Sequence, residues 1–138
     1  MAVDTIAGLK AKMPPNERGG TTVADIHDLI DTVGEFTTQE VVTKTTNYTA
    51  TVTDNRRRII FNSASAITFI LPNNLPIGWE CVIMQTSTGA VTVSVTGGNL
   101  RNLNNHTRTG GTYAQAYLFV YANSGTAPQV GFSGQTAP

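Results

Sequence analysis

The sequence predicts a mainly β protein: an antiparallel β-sandwich or small β-barrel of the jelly-roll kind, preceded by an extended N-terminal arm and one short α-helix. Three observations carry this. From Val41 onward apolar and polar residues alternate with period two, β-branched residues dominate, and clusters of Gly, Asn and Pro recur about every 8–12 residues. The 138 residues suit one domain with an appendage. The division predicted is 1–40 for the anchoring arm and helix and 41–138 for the β domain.

The first segment, Met1 to Lys12, is mildly apolar around Gly8, and Met13-Pro14-Pro15-Asn16 cannot continue a helix, because proline lacks an amide donor and restricts the residue before it. Gly19-Gly20-Thr21-Thr22 then leads into a helix near 23–33, with Thr22 as N-cap, Asp25 returning a capping-box bond and Gly34 as C-terminal cap. Val23, Ile26, Ile30 and Val33 align as one seam, widened by Leu29. A helix this short is unstable alone, so the seam is a candidate partner-binding set. Asp25, Asp28 and Asp31 beside His27 read as a solvated face, since their spacing drifts around the helix and no oxygen-rich loop accompanies them.

Val41 to Val52 reads as two short strands with a break, and Thr53-Asp54-Asn55 as a turn. Arg58 to Phe61 and Ile67 to Leu71 flank the turn Asn62 to Ala66, which predicts a hairpin, and Pro72 ends the second run. Asn73 to Gly78 is a turn cluster before the most apolar run, Trp79 to Gln85. Val91, Val93 and Val95 then alternate with Thr92 and Ser94, a core face against a wet one. Gly97-Gly98 closes that strand and Asn99 to Asn105 reads as an amide-rich loop. Tyr113 to Tyr121 and Gln129 to Phe132 supply the last strands.

Charge is distributed very unevenly. Residues 1–58 hold eight of the nine acids and seven of the nine bases, leaving only Glu80, Arg101 and Arg108 in the remainder. A domain so nearly uncharged has little to keep copies apart, which predicts either that partners cover much of its surface or that hydroxyls and amides keep it soluble. The net charge of zero offers no global attraction to nucleic acid or anionic lipid, and no apolar run approaches the roughly 18 residues of a membrane span. The single cysteine, Cys81, sits in an apolar run and reads as a buried inert thiol.

The string Arg57-Arg58-Ile59-Ile60-Phe61-Asn62-Ser63-Ala64-Ser65-Ala66-Ile67-Thr68 is followed by Leu71-Pro72-Asn73-Asn74-Leu75-Pro76-Ile77-Gly78 and a strand centred on Gln85. Together they resemble a small β-module of tailed-bacteriophage virion proteins, found in tail fibres and in capsid decoration proteins. The resemblance spans about Tyr48 to Gly134 and includes Arg108-Thr109-Gly110-Gly111-Thr112-Tyr113-Ala114-Gln115-Ala116. Asn16-Glu17-Arg18-Gly19-Gly20 also resembles leaders of such proteins. The closing stretch Val130-Gly131-Phe132-Ser133-Gly134-Gln135 departs from the module, which ends with a Trp and an acidic residue after its final Gly. The resemblance implies a homotrimeric virion structural protein, made in the host cytoplasm, whose partners are the major capsid protein or another virion protein. With no shaft repeat in so short a chain, a capsid decoration or cement protein is favoured. A tail-fibre or spike component meeting a host glycan is the alternative.

Neither enzyme nor cofactor chemistry has a foothold. A nucleophile elbow is absent, the β domain past Arg58 owns one carboxylate, Glu80, where glycoside hydrolysis needs two, and the glycine pairs precede neither a helix start nor a lysine. Arg56-Arg57-Arg58 is the sole basic run; it reads either as a grip on an acidic partner surface or as a solvated strand end. Tyr113, Tyr117 and Tyr121 recur at a spacing that places them on one strand face, predicting core or trimer-interface packing, with a sugar platform as the other possibility.

Overall fold

Strands form where the period-two alternation runs, and the central ones bury every second residue while the edge strands bury none. The computed structural model describes residues 39–138; the predicted arm and the helix seam Val23, Ile26, Ile30 and Val33 lie outside the described residues. The elements are β1 (Val41–Lys44), β2 (Tyr48–Thr49), a 3-10 turn (Val52–Asp54), β3 (Arg58–Phe61), β4 (Ile67–Leu71), β5 (Glu80–Gln85) and β6 (Val91–Val95). After them come β7 (Asn99–Arg101), β8 (Arg108–Thr109), β9 (Gln115–Asn123), β10 (Pro128–Gly134) and β11 (Thr136–Ala137). Two sheets pack face to face as a sandwich, one ordered β1-β3-β5-β9-β10-β7 and the other β11-β8-β6-β4-β2.

The sheets are mixed, which corrects the expectation of purely antiparallel pairing. β1, β3 and β5 are parallel neighbours in the six-stranded sheet, and β2, β4 and β6 are parallel neighbours in the five-stranded one. Consecutive strands therefore alternate between sheets, and β3 with β4 is an arch across the core, not a hairpin. The reason is visible in the inward residues. Ile59 and Phe61 face Ile67, Phe69 and Leu71 from opposite sides, with the Phe61 and Phe69 ring centroids 5.3 Å apart. Each parallel pair in one sheet is connected through a strand of the other, which supplies the crossover that parallel strands require. Asn99 to Arg101, expected as loop, pairs in parallel with β10 as the edge strand β7.

Antiparallel pairing resumes around β9, the longest strand, which lies between β5 and β10. Trp79, Leu75 and Ala50 close the core from the connecting segments. A polar tie joins the layers: buried Thr109 on β8 donates to Gln85 Oε1 on β5 at 2.5 Å and accepts the Val91 amide at 3.0 Å, while Gln85 Nε2 donates to the Ser87 carbonyl. Every buried polar atom of that tie has a partner, so it costs little and sets the relative register of the sheets.

The Leu-Pro-x-x-Leu-Pro-x-Gly element has a physical role. Leu75 inserts fully into the core, and Gly78, at φ +90°, turns the chain so that its amide reaches the Val120 carbonyl at 2.8 Å. Asn123 latches this loop from β9. Its Nδ2 donates to the carbonyls of Asn73 and Leu75, and its Oδ1 accepts the amides of Gly125 and Ala127. Asn123→Ala is expected to cost about 1–3 kcal/mol, because it leaves part-buried carbonyls and amides unpaired. Chemical denaturation of the two proteins checks it, and an unchanged midpoint would remove the latch from this account.

Candidate functional site

The outer faces of the two sheets differ in chemistry, and that difference locates the site. On the five-stranded sheet the outward positions are Thr49, Thr68, Ile70, Thr92, Ser94 and Arg108, a face of hydroxyls. The outward positions of the six-stranded sheet form three rows. One is Thr43, Ile60, Met84 and Gln115; the next is Val41, Arg58, Val82, Tyr117 and Ser133; the third is Glu80, Phe119, Gly131 and Arg101. Tyr121 extends the last rows along β9 and is 45% exposed. Aliphatic and aromatic groups thus cover much of this face, with Arg58 standing between Val41 and Val82 and Glu80 beside Phe119.

The aromatic stripe is ordered. Tyr117 and Phe119 stack with centroids 5.7 Å apart, and Phe119 meets Tyr121 at 5.9 Å with the rings tilted by 50°. Phe119 lies flat over Gly131, where an added Cβ would fall 2.5 Å from its ring. That glycine leaves the room in which the ring rests against the sheet. Tyr117 Oη donates to Glu80 Oε2 at 2.5 Å, and the bond to the carboxylate, with burial behind it, raises the phenol above its ordinary value. Glu80 also faces the Arg56 guanidinium at 3.8 Å. Next to the stripe, between β1, β3 and β5, is an apolar pocket of about 110 Å³ walled by Val41, Ile60, Val82 and Met84 and bordered by Arg58 and Gln115.

The predicted tyrosine ladder is only half of this stripe. Tyr117 and Tyr121 point outward from β9, while Ala116, Leu118 and Val120 point into the core, so the tyrosines are not core residues. Tyr113 does not share their strand. It precedes β9 in a left-handed conformation, φ 68°, beside an open depression of about 420 Å³ formed with Gly110, Gly111, Thr112, Gln135 and Thr136. Phe119, not among the predicted tyrosines, is the central ring. The signal was there: Tyr117, Phe119 and Tyr121 share one strand phase.

The three arginines part company. Arg57 is drawn inward, its Nη1 3.0 Å from buried Asp54 and its Nη2 2.6 Å from Glu40. Asp54 also accepts from the Thr51 amide and from the Tyr48 hydroxyl at 2.7 Å. Burial disfavours its charge, but the Thr51 amide, the Tyr48 hydroxyl and the Arg57 guanidinium outweigh that and hold its carboxyl below the ordinary aspartate value. Arg56, at φ 63°, projects into solvent, and Arg58 stands on the apolar face beside Val82. One basic run thus divides into a buried ion pair at Arg57, a surface cation facing Glu80 at Arg56 and a cation on the apolar face at Arg58.

The remaining reactive groups are engaged or enclosed. Cys81 is buried, and burial together with the charges of Asp54 and Glu80 pushes its thiol far above the ordinary range, as expected of an inert core sulfur. Among the described residues no group of three His, Cys, Asp or Glu side chains converges as a metal site. The three carboxylates of the described side chains, Glu40, Asp54 and Glu80, are each tied to arginine or tyrosine. No family model, curated protein or solved structure matches this chain.

Proposed function

We propose that this chain is a non-enzymatic structural protein of a bacteriophage virion, a homotrimeric capsid decoration protein whose copies associate through the outer face of the six-stranded sheet. The single observation that carries the self-association is the asymmetry between the sandwich's two outer faces. One is hydroxyl-rich and suited to water. The other sets Val41, Ile60, Val82, Met84, Tyr117, Phe119 and Tyr121 close together, with Arg58 as the cation among them. A contiguous apolar patch of this kind on a nearly uncharged domain is what association buries, at roughly 25 cal/mol per Å² before ordering costs. Assignment to a phage head rests on the resemblance of Tyr48 to Gly134 to the virion β-module.

Val82→Arg tests the face. It sets a second cation beside Arg58 in the middle of the patch and buries it on association. The variant is expected to weaken self-association by at least about 30-fold, as for an interface hot spot, while far-UV circular dichroism stays unchanged. Sedimentation velocity over a concentration series reads the result, and an unaltered oligomer would remove this face from the interface. Copy number per particle separates a decoration protein, near the abundance of the capsid protein, from a fibre component, which is present in far fewer copies.

A further inference from the structure

We propose that the depression beside Tyr113 is a binding site for a neutral saccharide, with one pyranose ring laid against the tyrosine ring. The site uses none of the residues of the apolar patch proposed for self-association, so the two readings stand or fall separately. Its frame is held by the backbone. The Tyr113 amide donates to the Gln85 carbonyl at 2.6 Å, the Ala114 amide to the Gly111 carbonyl at 3.0 Å and the Gly110 amide to the Gln135 carbonyl at 2.9 Å. Thr112 is pinned through its side chain, Oγ1 donating to the Ser87 carbonyl at 3.1 Å. A ligand therefore meets a preformed surface and not a loop that must first be ordered.

Tyr113 is the residue that folding leaves without an explanation. It is left-handed at φ 68°, where glycine or asparagine sits at lower cost. Its side chain repays nothing to the core: the residue is 67% exposed, and its ring and hydroxyl have no stacking or hydrogen-bond partner among the described residues. The tyrosines of β9 differ, since Tyr117 stacks on Phe119 and bonds Glu80, and Tyr121 meets Phe119. What the Tyr113 side chain adds is a flat aromatic face on a depression of about 420 Å³, within the roughly 300–1,000 Å³ of small-molecule sites. Gly111, at φ 144° with open space where a Cβ would stand, leaves that part of the lining as bare backbone.

The lining decides the class of ligand. Around the ring stand glycines, hydroxyls and an amide, with no charged side chain among the described residues. Gln135 Oε1 accepts the Gln115 amide at 3.0 Å, which leaves Gln135 Nε2 as a donor with no partner among the described residues. Thr112 Oγ1 and Tyr113 Oη can each accept a further bond. A pyranose has the matching composite character: a face of C–H groups for the aromatic ring and a rim of hydroxyls for the amide and hydroxyl groups. An anionic ligand, such as a nucleotide or an acidic sugar, finds no cation in this lining. Arg108, the nearest in sequence, donates its Nε–H to the Pro138 carbonyl at 2.6 Å.

Amide NMR shifts of the full chain test this, with methyl glucoside, methyl galactoside, methyl mannoside and N-acetylglucosamine each added to about 20 mM, enough to reveal a millimolar Kd. At least one sugar is expected to give saturable shifts at Gly110, Gly111, Tyr113 and Gln135. Tyr113→Ala is expected to weaken that binding by at least about tenfold, the loss of one aromatic contact. Tyr113→Gly gives a second readout. It removes the ring and relieves the left-handed backbone, so binding is lost while the urea midpoint stays level or rises. A midpoint that falls makes the ring structural and overturns the proposal. The absence of a saturable shift with all four sugars overturns it as well. Shifts confined to Tyr117, Phe119 and Tyr121 also overturn it, and move the sugar to the outer face of the six-stranded sheet.

Discussion

Replacing Asp54 with alanine is expected to lower the unfolding free energy by about 3 kcal/mol, the lower end of the range for breaking a buried ion pair. The side chain is fully enclosed and accepts from the Thr51 amide, the Thr51 and Tyr48 hydroxyls and the Arg57 guanidinium. Removing it orphans those donors. Arg57 keeps Glu40, and about a quarter of its side chain stays in water, so the loss does not reach the top of the range. The same carboxylate gives stability a pH dependence. Its folded-state pKa lies below the unfolded aspartate value of about 3.9, so its contribution is complete above that value and is lost as pH falls through the folded one. Urea unfolding from neutral pH into the acid range reads this directly. Asp54→Asn, which keeps the shape and removes the charge, is expected to flatten the profile, and an unchanged profile would place the acid sensitivity elsewhere.

Trp79→Ala is expected to cost about 3–5 kcal/mol, as large-to-small changes at enclosed aromatic positions do. Trp79 is 1% exposed and is among the largest side chains of the core. It also binds Thr51, whose carbonyl accepts the indole Nε1–H at 3.1 Å, so the turn gripped by Asp54 is held from the core side as well. Trp79→Phe keeps much of the volume and loses the indole bond, with an expected cost of about 1 kcal/mol beyond repacking. Because Asp54 and Trp79 hold the same residue, their effects are not expected to add. A double-mutant cycle of Asp54→Ala with Trp79→Phe should show a coupling of at least about 0.5 kcal/mol, and strict additivity would separate the two.

These two side chains bear on the site through the strand that follows their turn. The turn at Val52–Asp54 delivers the chain to β3, and β3 places Arg58 and Ile60 on the apolar face and walls the pocket. Loosening the turn is therefore expected to weaken assembly as well as folding. Val82→Arg, in contrast, is expected to act on assembly alone. Comparing denaturation midpoints with sedimentation profiles for Asp54→Ala, Trp79→Ala and Val82→Arg distinguishes the two effects.

Much of the β domain was legible before any tertiary contact was known. Val91, Val93 and Val95 alternate with hydroxyl residues because a strand shows successive side chains to opposite sides, and Val91 and Val93 are indeed the enclosed ones. Trp79 to Gln85 was readable as a core run because it unites the chain's densest apolar residues, and β5 with Trp79 occupies it. The pairing direction was not legible. Period-two alternation is the same for a strand in a hairpin and a strand in an arch, and the turn Asn62 to Ala66 carries no Asn-Gly or Asp-Gly signal to decide between them.

The site divides along the same line. Near-absence of charge beyond Arg58 follows from composition alone, and it predicted a surface that association covers or that hydroxyls and amides keep soluble. Which apolar residues face outward is a tertiary result. Along β9 both strand phases are apolar, with Ala116, Leu118 and Val120 in one and Tyr117, Phe119 and Tyr121 in the other, so alternation cannot choose the buried side. Space chooses it. Trp79, Phe61, Phe69 and Phe132 already fill the interior, which takes the smaller phase of β9, while Gly131 leaves room outside for Phe119. The run Arg56-Arg57-Arg58 divides for a similar reason: three adjacent cations look equivalent in one dimension, and only the position of a buried carboxylate 3.0 Å from Arg57 makes one of them structural. Local periodicity and composition are properties of the chain, whereas the choice between two apolar faces and among three like charges depends on volume and on partners brought together from distant positions.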